Sequence, residues 1–194
     1  MWCHHVVNGG LLSAGEALNI DLSDFVTQLY GMILPLSLMG GIESSSSPTE
    51  TSNKDGHILS SSSPAPSISD LLFRALRAVF SPRIGGAVAA PPWRSAAFSK
   101  RLLTAALHWP PTSALRALNL IHDLIAKNPK LEALLSTEDH IFDGIYHADV
   151  DDPQLCHPYG TAFWELWVLA TYHMDCSVRI TAEKLLNYSS ASTS

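Results

Sequence analysis

Charged side chains are scarce in this chain of 194 residues, at 15% against about a quarter in ordinary soluble proteins. The hydrophobic fraction of 46% is nevertheless typical of a globular chain, and the length suffices for one domain, or one and a fraction, with a sizeable core. A protein with so few charges often covers much of its surface with something else. The composition therefore indicates one part of a larger assembly.

Cysteine and long apolar runs are scarce as well. Cys3, Cys156 and Cys176 form no CxxC pair and no disulfide framework, so a reducing intracellular compartment is expected. The start MWCHHVVNGG has neither the basic nor the long apolar part of a signal peptide. The most apolar run, FVTQLYGMILPLSLMGG, is interrupted by Pro35 and is shorter than the ~20 residues that cross a bilayer. No membrane partner is expected.

Motifs for catalysis and metal binding are missing too. The chain has no GxSxG, no HExxH and no GxxxxGK[ST] segment. Its nine histidines lack the two closely spaced ligand pairs of a zinc site, and DVDDP lacks the glycine and terminal glutamate of an EF-hand loop. We therefore predict a protein that is not an enzyme and that binds no cofactor or metal ion.

The charges that are present are segregated along the chain. Nine basic residues and one acid, Asp123, lie between Arg74 and Lys130, whereas seven acids and no base lie between Glu132 and Asp152. Two interpretations are open: two ordinary solvated faces, or a basic surface that docks on RNA or on an acidic partner. The second predicts a surface that faces a partner or RNA, formed by Arg74, Arg77, Lys100, Arg101, Lys127 and Lys130.

Helical periodicity recurs in the first half, and no segment shows the alternation of a strand. A first helix is predicted from Asp21 or Ser23 up to Pro35, which bends or ends it. A second begins at Ser67, which has capping-box spacing with Asp70. The predicted inward faces are Phe25, Leu29, Met32 and Ile33 in the first helix, and Leu72, Ala75, Leu76 and Val79 in the second.

Two consecutive helices separated by a proline pair are predicted in the middle. In WRSAAFSKRLLTAALHW one face is apolar, with Phe98 at its start, and Lys100 and Arg101 lie outside that face. The proline pair in LHWPPTSALRAL stops this helix and opens the next, which leaves His108 in the last turn of the first. His108 is therefore interpreted as a corner residue between packed helices, not as a chemical site. The second helix, over residues 112–126, has an apolar stripe wide enough for neighbours on two sides.

The last part predicts an acidic loop over 139–158 and an antiparallel helix pair in TAFWELWVLATYH and CSVRITAEKLL. Glu165 lies among large aromatic residues, and a buried carboxylate needs a partner. We predict that Glu165 forms a salt bridge or cap that holds the last helix pair, with a catalytic acid as the alternative. The predicted inward faces are Phe163, Trp164, Leu166, Trp167 and Ala170, followed by Val178, Ala182, Leu185 and Leu186.

The predicted fold class is all-α, with antiparallel helix pairs stacked as a fragment of a HEAT- or armadillo-like α-solenoid. Residues 1–194 are treated as one helical-repeat domain, with ordered parts at about 14–40, 67–81 and 93–188. The serine-rich stretch 43–66 has almost no apolar content, so it predicts a disordered insertion. Such an architecture holds partners and does not by itself suggest catalysis.

Three stretches together resemble the C-terminal region of the CCAAT-binding-factor family. They are LLSAGEALNIDLSDFVTQLY, FSKRLLTAALHWPPTSALRALNLIHDLIAKNPKLEALL and DVDDPQLCHPYGTAFWELWVLATYH. No single motif is specific, and the resemblance depends on their order. The positions that match the family pattern are Lys100, Arg101, His108, Pro110, Pro111, Asn128, Pro129, Asp152, Pro153, Trp164, Glu165, Leu166 and His173.

The resemblance implies a non-enzymatic helical scaffold of the nucleus and nucleolus that acts in biogenesis of the large (60S) ribosomal subunit. The implied partners are a related nucleolar complex protein and pre-60S particles, and the basic middle of the chain is the candidate for contact with rRNA. The alternative is a chromatin-associated factor in DNA replication initiation, with replication-origin proteins as partners. That alternative needs an element that reads bases, and Arg74, Arg77 and Arg83 come without a groove-reading motif.

Overall fold

The regular structure of the chain is helical throughout the part that the computed structural model describes, which is residues 23–45, 65–81, 90–136 and 144–188. The α-helices are α1 (Ser23–Ser37), α2 (Ile68–Phe80), α3 (Pro92–Ala106), α4 (Pro111–Lys127), α5 (Trp164–Tyr172) and α6 (Cys176–Leu186). Two 3₁₀ helices span Pro129–Leu134 and Pro158–Gly160. The all-α class is confirmed, and the solenoid arrangement stays a prediction. Most of the predicted serine-rich insertion, residues 46–64, lies outside the described residues.

Helix α1 does not end at Pro35 but continues to Ser37. Pro35 lies in the last turn, where the loss of its N–H removes only one backbone hydrogen bond. The predicted inward residues Leu29 and Ile33 are buried, whereas Met32 is 43% exposed, so its assignment was wrong. Tyr30 is fully buried instead, because α3 covers that side of α1.

Helix α2 begins with the predicted capping box. The Asp70 N–H donates to Ser67 Oγ at 3.1 Å, and the Ser67 N–H donates to the Asp70 carboxylate at 3.2 Å. These two bonds satisfy backbone donors that the first turn of a helix leaves without partners. The four predicted inward residues, Leu72, Ala75, Leu76 and Val79, are all buried.

Helix α3 is the centre of the fold and is buried on nearly all sides. It contacts α1, α4, α5 and both 3₁₀ helices. Phe98 is buried as predicted, but Lys100 and Arg101 are buried too, which corrects their assignment to the outside of the helix. The small residues at the start of α3, Ser95, Ala96, Ala97 and Ser99, let neighbouring elements approach from several directions.

The segment LHWPP forms a tight corner between α3 and α4. Helix α3 ends at Ala106, so exposed His108 lies just beyond the helix and not in its last turn. Trp109 is buried, with its ring 6.0 Å from that of Phe73 in an edge-to-face contact. Pro111 opens α4, whose stripe packs against α3 and α6 as the wide apolar pattern predicted.

Helices α5 and α6 form the hairpin that the sequence predicts, but two tryptophans face the other way. Phe163, Leu166 and Leu169 are buried towards the core. Trp164 and Trp167 are 50% and 56% exposed, so their assignment to the core was wrong. Apolar residues occur all around this nine-residue helix, so periodicity alone cannot choose which side packs.

Candidate functional site

The buried Lys100 side chain joins α3 to the start of α5. Its Nζ donates to the carbonyl oxygen of Ala162 and to Glu165 Oε2, each at 2.8 Å. Thr104 Oγ1 donates to the other carboxylate oxygen of Glu165 at 2.9 Å. The predicted salt bridge at Glu165 is therefore confirmed, and the Glu165 carboxylate is a structural partner of α3.

Burial and pairing act in opposite directions on Lys100. Burial lowers the pKa of the Lys100 ammonium, while the charge and the hydrogen bond of Glu165 raise it and offset part of that effect. A pair as buried as this one adds little net stability when intact, but leaving either charge alone costs about 3–5 kcal/mol. The pair therefore fixes one arrangement of α3 and α5.

Arg101, the next residue, holds the acidic loop that precedes α5. Its Nη2 donates to the carbonyl oxygens of Ala148 and Val150, each at 3.0 Å. Its Nη1 donates to Asp151 Oδ1 at 2.6 Å, and the guanidinium lies 3.9 Å from the ring centroid of Tyr30. Consecutive positions on a helix point about 100° apart. The Lys–Arg dipeptide can therefore secure two different segments to one helix.

The buried hydroxyl of Tyr30 in α1 clusters with two groups of the acidic loop itself, the Cys156 thiol and the partly buried Tyr146 hydroxyl. Burial raises the pKa of Tyr146 to about 12 and also raises the pKa values of Tyr30 and Cys156. A raised pKa keeps the thiol protonated, and a protonated thiol is a poor nucleophile and a poor metal ligand. No group of histidine, cysteine or carboxylate side chains in the described ranges is arranged to hold a metal ion.

The six basic residues predicted to form one surface fall into two sets. Arg74 and Arg77 are exposed on α2, and Lys127 and Lys130 are exposed on either side of the turn that ends α4. Lys100 and Arg101 are buried and bound within the fold, which corrects their place in that surface. Four of the six residues are therefore accessible to a partner.

A link that the sequence did not predict connects residues around the serine-rich stretch. Glu43 Oε1 accepts hydrogen bonds from both the N–H and the hydroxyl of Ser113, each at 2.7 Å. Ser113 Oγ lies 2.9 Å from Ser69 Oγ, and the Ser69 N–H donates to the carbonyl oxygen of Ile42 at 2.9 Å. Glu43 therefore caps α4, whose N-cap residue Pro110 has no capping side chain. No local signal reveals a cap that lies 70 residues away.

The corner LHWPP also forms one wall of a surface groove of about 470 Å³. The opposite wall is the C-terminal end of α5. The groove is lined by Leu107, His108, Trp109, Pro110, Pro111, Val168, Leu169, Tyr172, His173 and Met174. Most of these side chains are apolar, and the polar ones are two histidines and a tyrosine. The lining is suited to apolar contacts rather than to acid–base chemistry.

Helices long and apolar enough to span a membrane do not occur among the described residues.

Comparison with known proteins identifies the chain's relatives. It is 29% identical to nucleolar complex-associated protein 3 of Schizosaccharomyces pombe, and the match covers 89% of this chain and 22% of the relative. It is 28% identical to the protein of the same name of Saccharomyces cerevisiae, and that match covers 80% of this chain and 23% of the relative. It is 30% identical to nucleolar complex protein 3 homolog of Danio rerio over 87% and 17%. The chain thus spans about a fifth of the length of these relatives.

These names support the nuclear and nucleolar localisation that the sequence predicts. The profile of the CBF/Mak21 family matches residues 6–182, which is most of the chain and includes every helix described above except the end of α6. The ordered motifs that resemble the CCAAT-binding-factor family lie inside this match. The chain belongs to the CBF/Mak21 family.

Proposed function

We propose that this chain is part of a non-enzymatic nucleolar scaffold that acts in biogenesis of the large ribosomal subunit. The observation that carries the proposal is the family match over residues 6–182, together with relatives named nucleolar complex-associated protein 3. Ribosome assembly needs proteins that hold RNA and other proteins in fixed positions. A rigid helical unit is suited to that task.

The contacts of the family-pattern residues support a scaffold rather than an enzyme. Lys100, Arg101 and Glu165 match the family pattern, and each is held in a salt bridge. A catalytic acid or base would instead need access to a substrate and a pKa suited to proton transfer. Glu165 is 1% exposed and bound by two donors, so this carboxylate is shielded from a substrate.

The proposed architecture is an α-solenoid fragment in which α3–α4 and α5–α6 are successive helix pairs of one domain over residues 1–194. The proposed partners are a related nucleolar complex protein and the pre-60S particle. Contact with rRNA is assigned to the exposed side chains Arg74, Arg77, Lys127 and Lys130, because Lys and Arg neutralise phosphates.

Affinity purification of the tagged chain from eukaryotic cells tests the proposal. Precursor rRNAs of the large subunit should be enriched over those of the small subunit. Charge reversal at Lys127 and Lys130 should reduce that enrichment several-fold, whereas the matched reversal at exposed Lys184 should not. Equal recovery of both classes of precursor would contradict the proposal, and retention on replicating chromatin would favour the alternative in DNA replication.

A further inference from the structure

The solvent-facing side of α5 is aromatic. Trp164, Trp167 and Tyr172 are 50%, 56% and 69% exposed, and their spacing places them along one side of the helix. The rings of Trp167 and Tyr172 meet edge to face, with centroids 5.6 Å apart. The one charged residue of α5, Glu165, is buried against Lys100 on the other side. This side of α5 therefore presents aromatic area without charge.

The exposed aromatic side continues into the groove beside the LHWPP corner. Tyr172 belongs to both, since it also lines the groove of about 470 Å³. Val168 lines the groove as well, and Met174, at its mouth, is 89% exposed. We call the surface formed by Trp164, Trp167, Tyr172 and Met174 the α5 face.

The α5 face is held in shape by the fold. Arg179 Nη1 donates to the carbonyl oxygens of His173 and Met174, at 2.6 Å and 3.1 Å, which fixes the turn that displays Met174. The ammonium of Lys100 lies 5.0 Å from the ring centroid of Trp164. A surface ordered before it binds loses less conformational entropy on binding.

We propose that the α5 face binds one amphipathic α-helix of a partner protein, through uncharged apolar side chains spaced by three or four residues. Charge favours such an occupant over RNA, because binding of a phosphate backbone needs cations. The four side chains of the α5 face carry no charge, and the Arg179 guanidinium beside Met174 is bound to the carbonyl oxygens of His173 and Met174. Exposed residues of α4 and α6, in contrast, include the charged Asp123, Lys127, Glu183 and Lys184.

The size of the α5 face favours a single helix over a second copy of this chain. A whole aromatic side chain contributes about 150–250 Å², so the partly exposed residues of the α5 face offer on the order of 500 Å². Obligate homodimers bury about 1,000 Å² or more on each partner. From Trp164 to Tyr172 the helix rises about 12 Å, which matches two to three turns of a docked helix. Binding of an amphipathic helix in an apolar groove is a common mode of recognition.

This inference rests on the proposed scaffold function, because it names the class of protein that the scaffold holds. A photo-crosslinking amino acid placed at Trp167 of the full chain, in cells, reports what covers the α5 face. A matched probe at exposed Asn119 of α4 is the control. We expect the probe at Trp167 to yield a partner peptide with apolar residues at helical spacing, and the probe at Asn119 not to yield it.

A second substitution separates specific docking from chance contact. Tyr172→Glu should reduce that crosslink at least tenfold without lowering the melting temperature, because Tyr172 is 69% exposed; Lys184→Glu should leave the crosslink intact. Crosslinks to RNA, to a second copy of the chain, or to a peptide without helical apolar spacing would overturn the inference. So would a crosslink that survives Tyr172→Glu.

The two experiments distinguish a failure of the docking inference from a failure of the proposed function. If the inference alone is wrong, the chain still purifies with large-subunit precursors while the probe at Trp167 finds no amphipathic helix. If the proposed function alone is wrong, the probe finds the helix but the purified chain carries no excess of large-subunit precursors.

Discussion

Lys100 Nζ and Glu165 Oε2 lie 2.8 Å apart, and the two side chains are 2% and 1% exposed. This buried pair connects the central helix α3 to α5, and Arg101, the next residue, connects α3 to the acidic loop through Asp151. Three charged residues, Lys100, Arg101 and Glu165, thus act inside the fold. Because Glu165 is the one charged residue of α5, its burial leaves the exposed side of that helix without a charged residue.

Removal of one member of the pair should be far more damaging than removal of both. Glu165→Ala leaves the Lys100 ammonium buried without its anionic partner and should lower the free energy of unfolding by about 3–5 kcal/mol. The double variant Lys100→Met with Glu165→Leu should recover most of that loss, because no lone charge remains. Urea denaturation of both variants measures the difference; a double variant as unstable as Glu165→Ala would show that the charge itself is not the cause.

Loss of the planar guanidinium of Arg101 should loosen the acidic loop while the helices stay formed. Arg101→Lys keeps the positive charge but loses the planar group that reaches the carbonyl oxygens of Ala148 and Val150 together. Hydrogen exchange of loop amides, such as that of His147, should accelerate by at least tenfold. The matched substitution Arg77→Lys, at an exposed position, should leave loop exchange unchanged. If the loop amides exchange equally slowly in both variants, Arg101 does not hold the acidic loop.

The cap that Glu43 supplies to α4 should contribute a modest amount. Glu43→Ala removes the acceptor for both hydrogen bonds from Ser113 and should cost about 1 kcal/mol, which is typical of a lost N-cap. Ser44→Ala, at the exposed neighbour, is the control and should change the free energy of unfolding by less than about 0.5 kcal/mol. Identical thermal melts for Glu43→Ala and Ser44→Ala would argue against the cap.

Alkaline pH should destabilise the fold through Tyr146. Burial raises its pKa from 10.0 to about 12, so the folded state retains a phenolic proton that the unfolded chain has released. The contribution of Tyr146 to the free energy of unfolding is fully present below the pKa of the unfolded state and is lost as the pH rises through the pKa of the folded state. At a pH of about 11 the loss should be about 1.4 kcal/mol. Unfolding measured at several pH values should show a shallower alkaline loss for Tyr146→Phe than for the parent. The control Tyr172→Phe, at an exposed ring, should keep the parent's slope.

The corrected orientation of α5 predicts losses of stability of different size for two large apolar residues. Leu118→Ala empties a fully buried site in α4 and should cost about 2–5 kcal/mol. Trp164→Ala removes a half-exposed ring and should cost clearly less. Denaturation midpoints of the two variants settle the order. A greater loss for Trp164→Ala than for Leu118→Ala would mean that the tryptophan is a core residue after all.

Local sequence patterns predicted the helices well, because the residues that start a helix and set its apolar face lie close together in the sequence. The Ser67–Asp70 capping box and the stripe of α4 are set by neighbouring positions, and both are found in the structure. The need of Glu165 for a partner was also predictable, because a carboxylate among aromatic residues must be neutralised.

Contacts between distant segments could not be predicted from such patterns. Burial of Lys100 and Arg101 depends on groups 49–65 residues away, so each residue alone was typical of a solvated helix face. The Glu43 cap was missed for the same reason, because Glu43 and Ser113 are 70 residues apart in the sequence. The exposed tryptophans of α5 differ in cause, because a helix that is apolar on every side carries no periodic signal for which side packs.

Sedimentation of the tagged chain through a sucrose gradient of nucleolar extract tests the proposed scaffold function most directly. We expect the chain to sediment with precursor particles of the large subunit and to move to the top of the gradient after the RNA of those particles is digested. A chain that sediments near the top before digestion, or with chromatin instead of precursor particles, would contradict the scaffold function.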